Sequence, residues 1–277
     1  MTKMIQDIAP HKFNNAYTAC SPEPGDPIMV FDGNRILMDC RGNGDPKFPK
    51  YEKESPTEGE YIYLFSIDEV KYFLAPDTAR KEDASYRYFL PRELYRYRPE
   101  YEAFAAVTAM QLNNWYHNNR FCGRCGSPLR RDHIERMMKC DSCGNTIYPK
   151  ISPVAIVGVM DGDRILMTKY ASREYKRYAL VAGFTEIGET MEETVAREVM
   201  EEVGLRVKNI TYYKSQPWSF TDTLLMGFFC ELDGSDQIKM DEKELSVAEW
   251  VSREEMDIKP DGISLTNEMM MKFKENR

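Results

Sequence analysis

Residues 183–205 read GFTEIGETMEETVAREVMEEVGL. Thr190 followed by Glu193 has the spacing of a capping box, which predicts a helix beginning at Met191. Gly204 is placed to end it, since glycine takes the left-handed conformation at no steric cost. Between these caps Met191, Val195, Val199 and Val203 recur every four residues as an apolar stripe, widened by Ala196 and Met200. At about 100° per residue, Glu198, Glu201 and Glu202 share a different face. Like charges at this spacing repel by a few tenths of a kcal/mol per pair. Either they form a solvated acidic face, or they form a cluster of hard oxygen ligands whose repulsion a Mg²⁺ or Mn²⁺ ion offsets.

The same stretch fits, without departure, the pattern G-x5-E-x7-R-E-U-x-E-E-x-G-U with U a bulky aliphatic residue: Gly183, Glu189, Arg197-Glu198-Val199, Glu201-Glu202, Gly204-Leu205. That pattern is the Nudix box, and here the chain resembles a Nudix hydrolase. The box weighs against the acidic-face reading, because its glycines and Arg-Glu step are also in register.

The chain has 277 residues, long enough for two domains or one large one, with 42% hydrophobic and 30% charged residues, a globular composition. The opening MTKMIQDIAPHKF lacks the apolar run of a signal peptide, no stretch reaches membrane-spanning length, and the closing KFKENR is not a peroxisomal address. A cytoplasmic location is the default expectation. A net charge of −8 argues against general nucleic-acid affinity over the whole surface.

Of seven cysteines, four stand as Cys122-x2-Cys125 and Cys140-x2-Cys143, each knuckle followed by glycine (Gly126, Gly144). In a chain expected to be reduced, this spacing predicts a four-thiolate zinc site. Four protein ligands leave no open position, so one structural Zn²⁺ is expected, holding a ribbon too small to fold alone. A redox role needs only one such pair. Cys20, Cys40 and Cys230 read as ordinary thiols, and His11, His117 and His133 as bystanders. Between residues 119 and 150 lie Arg120, Arg124, Arg130, Arg131, Arg136, Lys139 and Lys150 against Asp132, Glu135 and Asp141. This basic ribbon either steers an anionic substrate or merely stays soluble.

The first hundred-odd residues read as β-rich. Runs at 28–31 and 35–39 flank the hairpin signal Asp32-Gly33-Asn34, further strands are expected at 60–67 and 70–74, and polar residues 41–59 read as a loop. Tyr61, Tyr63, Phe65, Tyr72 and Phe73 are expected in the core. Residues 99–118 read as a helix through Phe104, Val107, Leu112 and Trp115. No internal repeat and no catalytic motif stands in this part. Beyond the ribbon, strands are expected at 153–160, 164–168, 178–181, 211–214, 223–232 and 247–251 around the box helix. The fold class is α+β: a β-rich N-terminal domain (1–118) ending in a helix, a zinc ribbon (119–149), and a Nudix α/β/α sandwich (150–277).

Residues 215–223 read SQPWSFTDT. The NADH pyrophosphatase branch of the Nudix family carries a loop SQPWPFPxS here, also behind a four-cysteine ribbon. Gln216, Pro217, Trp218 and Phe220 match; Ser219 and Thr221 replace prolines, and Thr223 replaces the final serine. The resemblance covers residues 121–251, and implies metal-binding carboxylates at Glu198 and Glu202 with Glu201 beside them, a metal-ligating carbonyl at Ala182, and a further carboxylate at Glu244. Arg197 is expected to orient the box carboxylates. Phe184, Tyr148 and Glu135 match substrate-contacting positions. Gln216, Pro217, Trp218, Ser219, Phe220, Thr221, Asp222 and Thr223 would contact a dinucleotide, and a tail contact falls near Leu265.

The implied reaction is hydrolysis of a dinucleotide diphosphate with two or more Mg²⁺ or Mn²⁺ ions, Glu201 or Glu202 accepting the proton. NAD⁺ or NADH would give AMP and nicotinamide mononucleotide, and NAD-capped RNA a 5′-monophosphate end. A homodimer is also implied. The alternatives are a Nudix hydrolase for another diphosphate, such as ADP-ribose or a dinucleoside polyphosphate, and a binding protein with an inactive Nudix domain.

Overall fold

A computed structural model of the protein describes residues 3–41, 44–53, 59–76, 82–96, 98–171 and 177–275. Parts of the 41–59 loop and the last two residues of KFKENR lie outside them. Contacts divide the chain into two compact units: one of Met1–Gln6, Ile151–Trp218 and Asp222–Arg277, the other of Asp7–Lys150 and Ser219–Thr221. The ribbon thus groups with the N-terminal part, and residues before Asp7 group with the box.

The Asp7–Lys150 unit starts with short strands. β1 (Phe13–Asn14), β2 (Ile28–Met29), β5 (Ile62–Ile67) and β6 (Val70–Leu74) make one sheet in the order β1-β5-β6-β2, while β3 (Phe31–Asp32), β4 (Arg35–Asp39) and β7 (Tyr86–Phe89) make a second. The hairpin read at Asp32-Gly33-Asn34 is the β3–β4 turn, pairing Asp32 with Arg35. Tyr63, Phe65, Tyr72 and Phe73 are buried, as a core reading requires. Helix α1 (Glu100–Asn118) buries Phe104, Val107, Leu112 and Trp115. The ribbon strands β8 (Arg130–Arg131), β9 (Met138–Lys139) and β10 (Thr146–Ile147) follow as a small antiparallel sheet.

In the other unit, β11 (Ser152–Asp161), β12 (Arg164–Tyr170), β13 (Val181–Phe184), β14 (Val207–Trp218), β15 (Thr223–Leu232) and β16 (Leu245–Ser252) form one mixed sheet. Its order is β14-β15-β11-β12-β16, with β13 also paired to β11; β11 and β15 run parallel and the other pairs antiparallel. Strand alternation assigns the two faces. Val154 and Ile156 of β11 join Ile165, Met167 and Leu225 beneath helix α3 (Leu265–Glu275), whose Leu265, Met269, Met270 and Phe273 complete that core. Ala155, Val157 and Val159 turn the other way, to Val195, Val199 and Val203 of helix α2 (Met191–Val203). The result is a helix–sheet–helix sandwich. Each fully buried valine of α2 contributes roughly 1.5–3 kcal/mol.

The α2 caps form as the sequence predicts. Glu193 N–H donates to Thr190 Oγ1 at 3.2 Å, Thr190 N–H donates to Glu193 Oε2 at 2.8 Å, and Gly204 takes φ 68°. The stripe's width differs from expectation. Ala196 and Met200 are exposed, and Thr194 and Glu202 are buried in their place. The helix has rolled its acidic edge toward the sheet, so a carboxylate occupies a core position. Two strand expectations also shift. The strand expected at 178–181 lies at Val181–Phe184, with only an isolated bridge between Ala179 and Thr168. Gln216, Pro217 and Trp218, read as loop, continue β14. Pro217 is tolerated there because β14 is an edge strand, where a missing N–H breaks no interior ladder.

Residues before Asp7 are part of this sandwich. Met4 packs in the α3-side core, Ile5 is 2% exposed with its N–H donating to Ile263 O, and Gln6 Nε2 donates to Ser215 O at 3.3 Å.

Candidate active site

Arg197 is the hub of the box. Its Nε donates to Glu189 Oε1 at 2.5 Å and Nη2 to Glu189 Oε2 at 2.9 Å, a two-pronged pair. Nη2 also reaches the Phe184 carbonyl at 2.9 Å, and Nη1 reaches Glu198 Oε1 at 2.7 Å and Glu201 Oε2 at 2.9 Å. One guanidinium therefore joins the end of β13, the approach to α2 and two box carboxylates. Arg197 holds Glu189 well below the usual carboxylate range, at about 2, helped by the Glu186 N–H and the Thr194 hydroxyl. The role of Glu189 as this clamp was not legible from residue type, since it lies outside the helix. Its distance of eight residues from Arg197 is the only signal.

The carboxylates differ in environment. Glu201 is well exposed, whereas the Glu198 side chain is mostly covered and Glu202 is 2% exposed. Burial raises Glu198, partly offset by Arg197. Burial raises Glu202 to about 8, with Glu198 and Glu244 adding repulsion, while the Ala182 N–H favours the charged form. Glu202 Oε2 is buried with no hydrogen-bond partner. Segment 239–241 is tied over the end of α2, Lys239 N–H donating to Val203 O at 2.8 Å and Asp241 N–H to Glu202 O at 2.9 Å, which brings Glu244 to the cluster just before β16. Asp241, absent from the sequence reading, adds a further negative charge.

These features fit a divalent cation. The donors are hard carboxylate oxygens, one of them buried and unpaired, in a site whose crowding penalises every negative charge unless a cation answers it. The fit extends to the backbone: a Cβ on Gly183 would lie 1.8–2.1 Å from the Glu198 carboxylate atoms. Of the expected metal positions, Glu198, Glu244 and the Ala182 N–H all act on Glu202, and Glu201 is exposed beside Arg197. Among the described residues, only the four ribbon cysteines are drawn tightly enough to form a ready-made metal cluster.

In the ribbon, the four thiol sulfurs lie within 4.8 Å of one another, Cys122–Cys143 at 3.6 Å and Cys125–Cys140 at 3.5 Å. A tetrahedron with legs of about 2.3 Å has edges of about 3.8 Å, so zinc fits. The two knuckles repeat one design: Gly126 N–H donates to Cys122 O and Gly144 N–H to Cys140 O, with φ of 75° and 73°. Ser127 is the main cause that lowers the Cys125 thiol to about 6, which favours thiolate ligation. The four cysteines and their family context support a structural zinc.

The expected substrate contacts are distributed unevenly. Tyr148 OH donates to Glu135 Oε2 at 2.7 Å, which unites those two. Phe184 is 56% exposed at the end of β13. Phe220 lies under the Arg92 guanidinium at 5.1 Å. Gln216 is different. It is fully buried, and its amide donates to Ile263 O at 2.7 Å and Gln6 Oε1 at 3.2 Å and accepts from Leu265 N–H at 2.7 Å. Its side chain anchors α3 rather than facing a ligand. Leu265 is likewise fully buried beside Gly227, and Thr223 and Ser219 are buried. Three of the ribbon's cations are engaged: Arg130 binds Asp141 within it, while Arg131 binds Glu60 and Arg136 donates to Leu64 O of the preceding sheet region.

The fold and site define a sandwich with a box helix of carboxylates, and residues 149–272 match the NUDIX domain family. Residues 117–148 match the NADH pyrophosphatase zinc ribbon domain. The chain is 40% identical over 155 residues to proteins named NAD-capped RNA hydrolase NudC from Salmonella typhi and from Salmonella heidelberg. That stretch is 56% of this chain and 60% of each relative. A Nudix hydrolase structure from Nitrosomonas europaea superposes with a TM-score of 0.49 at 22% identity, over 57% of this chain and 92% of that one. Among the described residues, no helix is long and apolar enough to cross a membrane.

Proposed function

We propose that the protein hydrolyses the diphosphate bond of NAD(H), giving AMP and nicotinamide mononucleotide, and of NAD-capped RNA, giving a 5′-monophosphate end. The observation that carries this is the buried, unpaired Glu202 oxygen among Glu198 and Glu244, backed against Gly183. The names of the relatives and of the ribbon domain supply the substrate class.

In this reading Glu198, Glu202, Glu244 and the Ala182 carbonyl hold Mg²⁺ or Mn²⁺. When bound, the ions neutralise the diphosphate and acidify water. Arg197 fixes Glu198 and Glu201 in place. Glu201, exposed at the rim, or Glu202, desolvated beneath it, accepts the proton. Phe184 offers an exposed ring face to a base. Tyr148, Glu135 and the exposed members of the 217–222 stretch supply further substrate contacts. A homodimer, on the strength of the resemblance, and a cytoplasmic location, as the default, belong to the same proposal.

The test is product analysis with zinc-replete protein, NADH, ADP-ribose and NAD-capped RNA, each with Mg²⁺, Mn²⁺ or no added metal. Metal-dependent AMP and reduced mononucleotide from NADH, or 5′-monophosphate RNA, is the expected result. Cleavage of ADP-ribose alone assigns another Nudix substrate, and no cleavage by folded protein sinks the enzyme reading.

A further inference from the structure

The carboxylates proposed to hold the cation come from separate elements: Glu198 and Glu202 from α2, Glu244 from the turn before β16. Like charges repel, so the side chains do not assemble this cluster by themselves. The backbone has to hold Glu244 to α2, and its hydrogen bonds converge on Asp241. The Asp241 N–H donates to the Glu202 carbonyl at 2.9 Å. The Asp241 carbonyl accepts from the Glu244 N–H at 3.2 Å and the Leu245 N–H at 2.9 Å. Asp241 Oδ1 accepts from the Lys243 N–H at 2.9 Å, closing a side-chain turn. One residue is thus bonded to the backbone of two proposed ligands.

The segment lies there because the end of α2 needs it. The last carbonyls of a helix have no partner within it. Lys239 N–H takes the Val203 carbonyl at 2.8 Å, and Asp241 N–H takes that of Glu202. Gly204 permits the close approach, since a Cβ there would lie 2.8 Å from Lys239 Cβ. Ile238 and Met240 pack at the edge of the α2-side core, and Leu245 is fully buried in it. Past the turn, the Glu244 carbonyl accepts from the Ala171 N–H at 2.9 Å, just beyond β12. One end of the segment is fixed to α2 and the other to the sheet, and the Asp241 side chain sets the bend between them.

We propose that Asp241 is a positioning residue: its side-chain turn to Lys243 fixes the place of Glu244 relative to Glu202, and so the affinity of the site for a divalent cation. This rests on the reading above that those two carboxylates hold the ion. The role needs an acceptor at Oδ1 and not a charge. Asparagine makes the same turn, whereas alanine leaves the Lys243 N–H to water and loosens the bend. A residue that acted by its charge, or as a ligand itself, would rank these substitutions differently.

The test titrates Mn²⁺ into the full-length, zinc-replete protein without substrate, reading free Mn²⁺ by electron paramagnetic resonance. Asp241→Ala is expected to weaken Mn²⁺ binding by about tenfold, the lower end of what loss of a supporting hydrogen bond does to a metal site. Asp241→Asn should bind close to the parent. Asp241→Glu keeps the charge but moves the acceptor one carbon away, and should weaken binding as alanine does. Amide exchange without Mn²⁺ should speed up across residues 239–245 in the alanine and glutamate variants, with the β11–β15 core still protected. Parental affinity in Asp241→Ala, or asparagine as weak as alanine, would overturn the proposal, as would a parent that binds no Mn²⁺. The reaction reading fails separately: a parent that binds Mn²⁺ but cleaves neither NADH nor NAD-capped RNA ends that reading, while the ranking of the variants still decides this one.

Discussion

The Glu198 carboxylate occupies the space where a side chain on Gly183 would begin, with its Cδ 1.8 Å from the position of the missing Cβ. The first glycine of the box is thus a spatial requirement of a carboxylate fifteen residues later. Gly183→Ala is expected to push Glu198 out of the cluster and off Arg197, at a cost of about 1–3 kcal/mol from overpacking. Turnover should fall far more than stability. Manganese titration followed by spectroscopy should show weaker binding. Unchanged metal affinity would refute the link.

Glu202→Gln should separate stability from activity. The native carboxyl is buried with one oxygen unpaired and is held protonated up to about pH 8, a folding cost at any pH above its unfolded pKa that a permanently neutral amide avoids. Without metal, the variant should unfold at a higher temperature than its parent. With metal, turnover should drop on the order of 10²-fold or more. Added Mn²⁺ should raise the melting temperature of the parent more than that of the variant. Equal metal stabilisation of both would remove Glu202 from the ligand set.

Glu189 sets an acid limit. Its folded pKa is depressed from 4.5 to about 2 by Arg197. A depressed carboxylate stabilises the fold above its unfolded pKa, and the contribution is lost as pH falls through the folded value. The protein should therefore lose stability from about pH 4.5 down to about pH 2, and Glu189→Gln should flatten that part of the curve. Urea unfolding at several pH values measures both slopes, and identical slopes would disprove the coupling.

Gln216→Ala tests a structural role against a substrate role. Truncation leaves the Leu265 N–H and the Ile263 carbonyl without their partner. The expected loss is about 3 kcal/mol of stability, with KM for NADH nearly unchanged. A tenfold rise in KM at unaltered stability would restore the substrate role.

Cys140→Ser should abolish the zinc stoichiometry of one per chain and expose the ribbon to proteolysis, because four thiolates hold what too few apolar residues can. Metal analysis and limited digestion report this. A variant that retains full zinc would rule out the four-cysteine set.

How much was legible depended on whether the signal was local. The α2 caps, its valines and the ribbon knuckles each lie within a few residues of their partners, so spacing alone located them. The roll of α2 was not legible, because Ala196 and Met200 read as apolar while tertiary packing chose Thr194 and Glu202. Helix α3 is not legible in the sequence. Its Met269, Met270 and Met271 run consecutively instead of at helical spacing, and its buried Glu268 reads as a surface residue. Glu268 accepts from Tyr213 OH at 2.8 Å and Lys214 Nζ at 2.7 Å, partners more than fifty residues away. The strand carrying Gln216 reads as loop because proline masks an edge strand.

The placement of Met4 and Ile5 has a kinetic meaning. They pack with Leu265 and Ile263, so the sandwich closes through contacts between residues about 260 apart. Contacts of that span form late and slow the search. Residues 3–6 leave the ribosome long before their partners near residue 265 are made. The opening segment must stay unburied while the whole Asp7–Lys150 unit is made, and a fragment starting at residue 150 would fold around a gap where Met4 belongs.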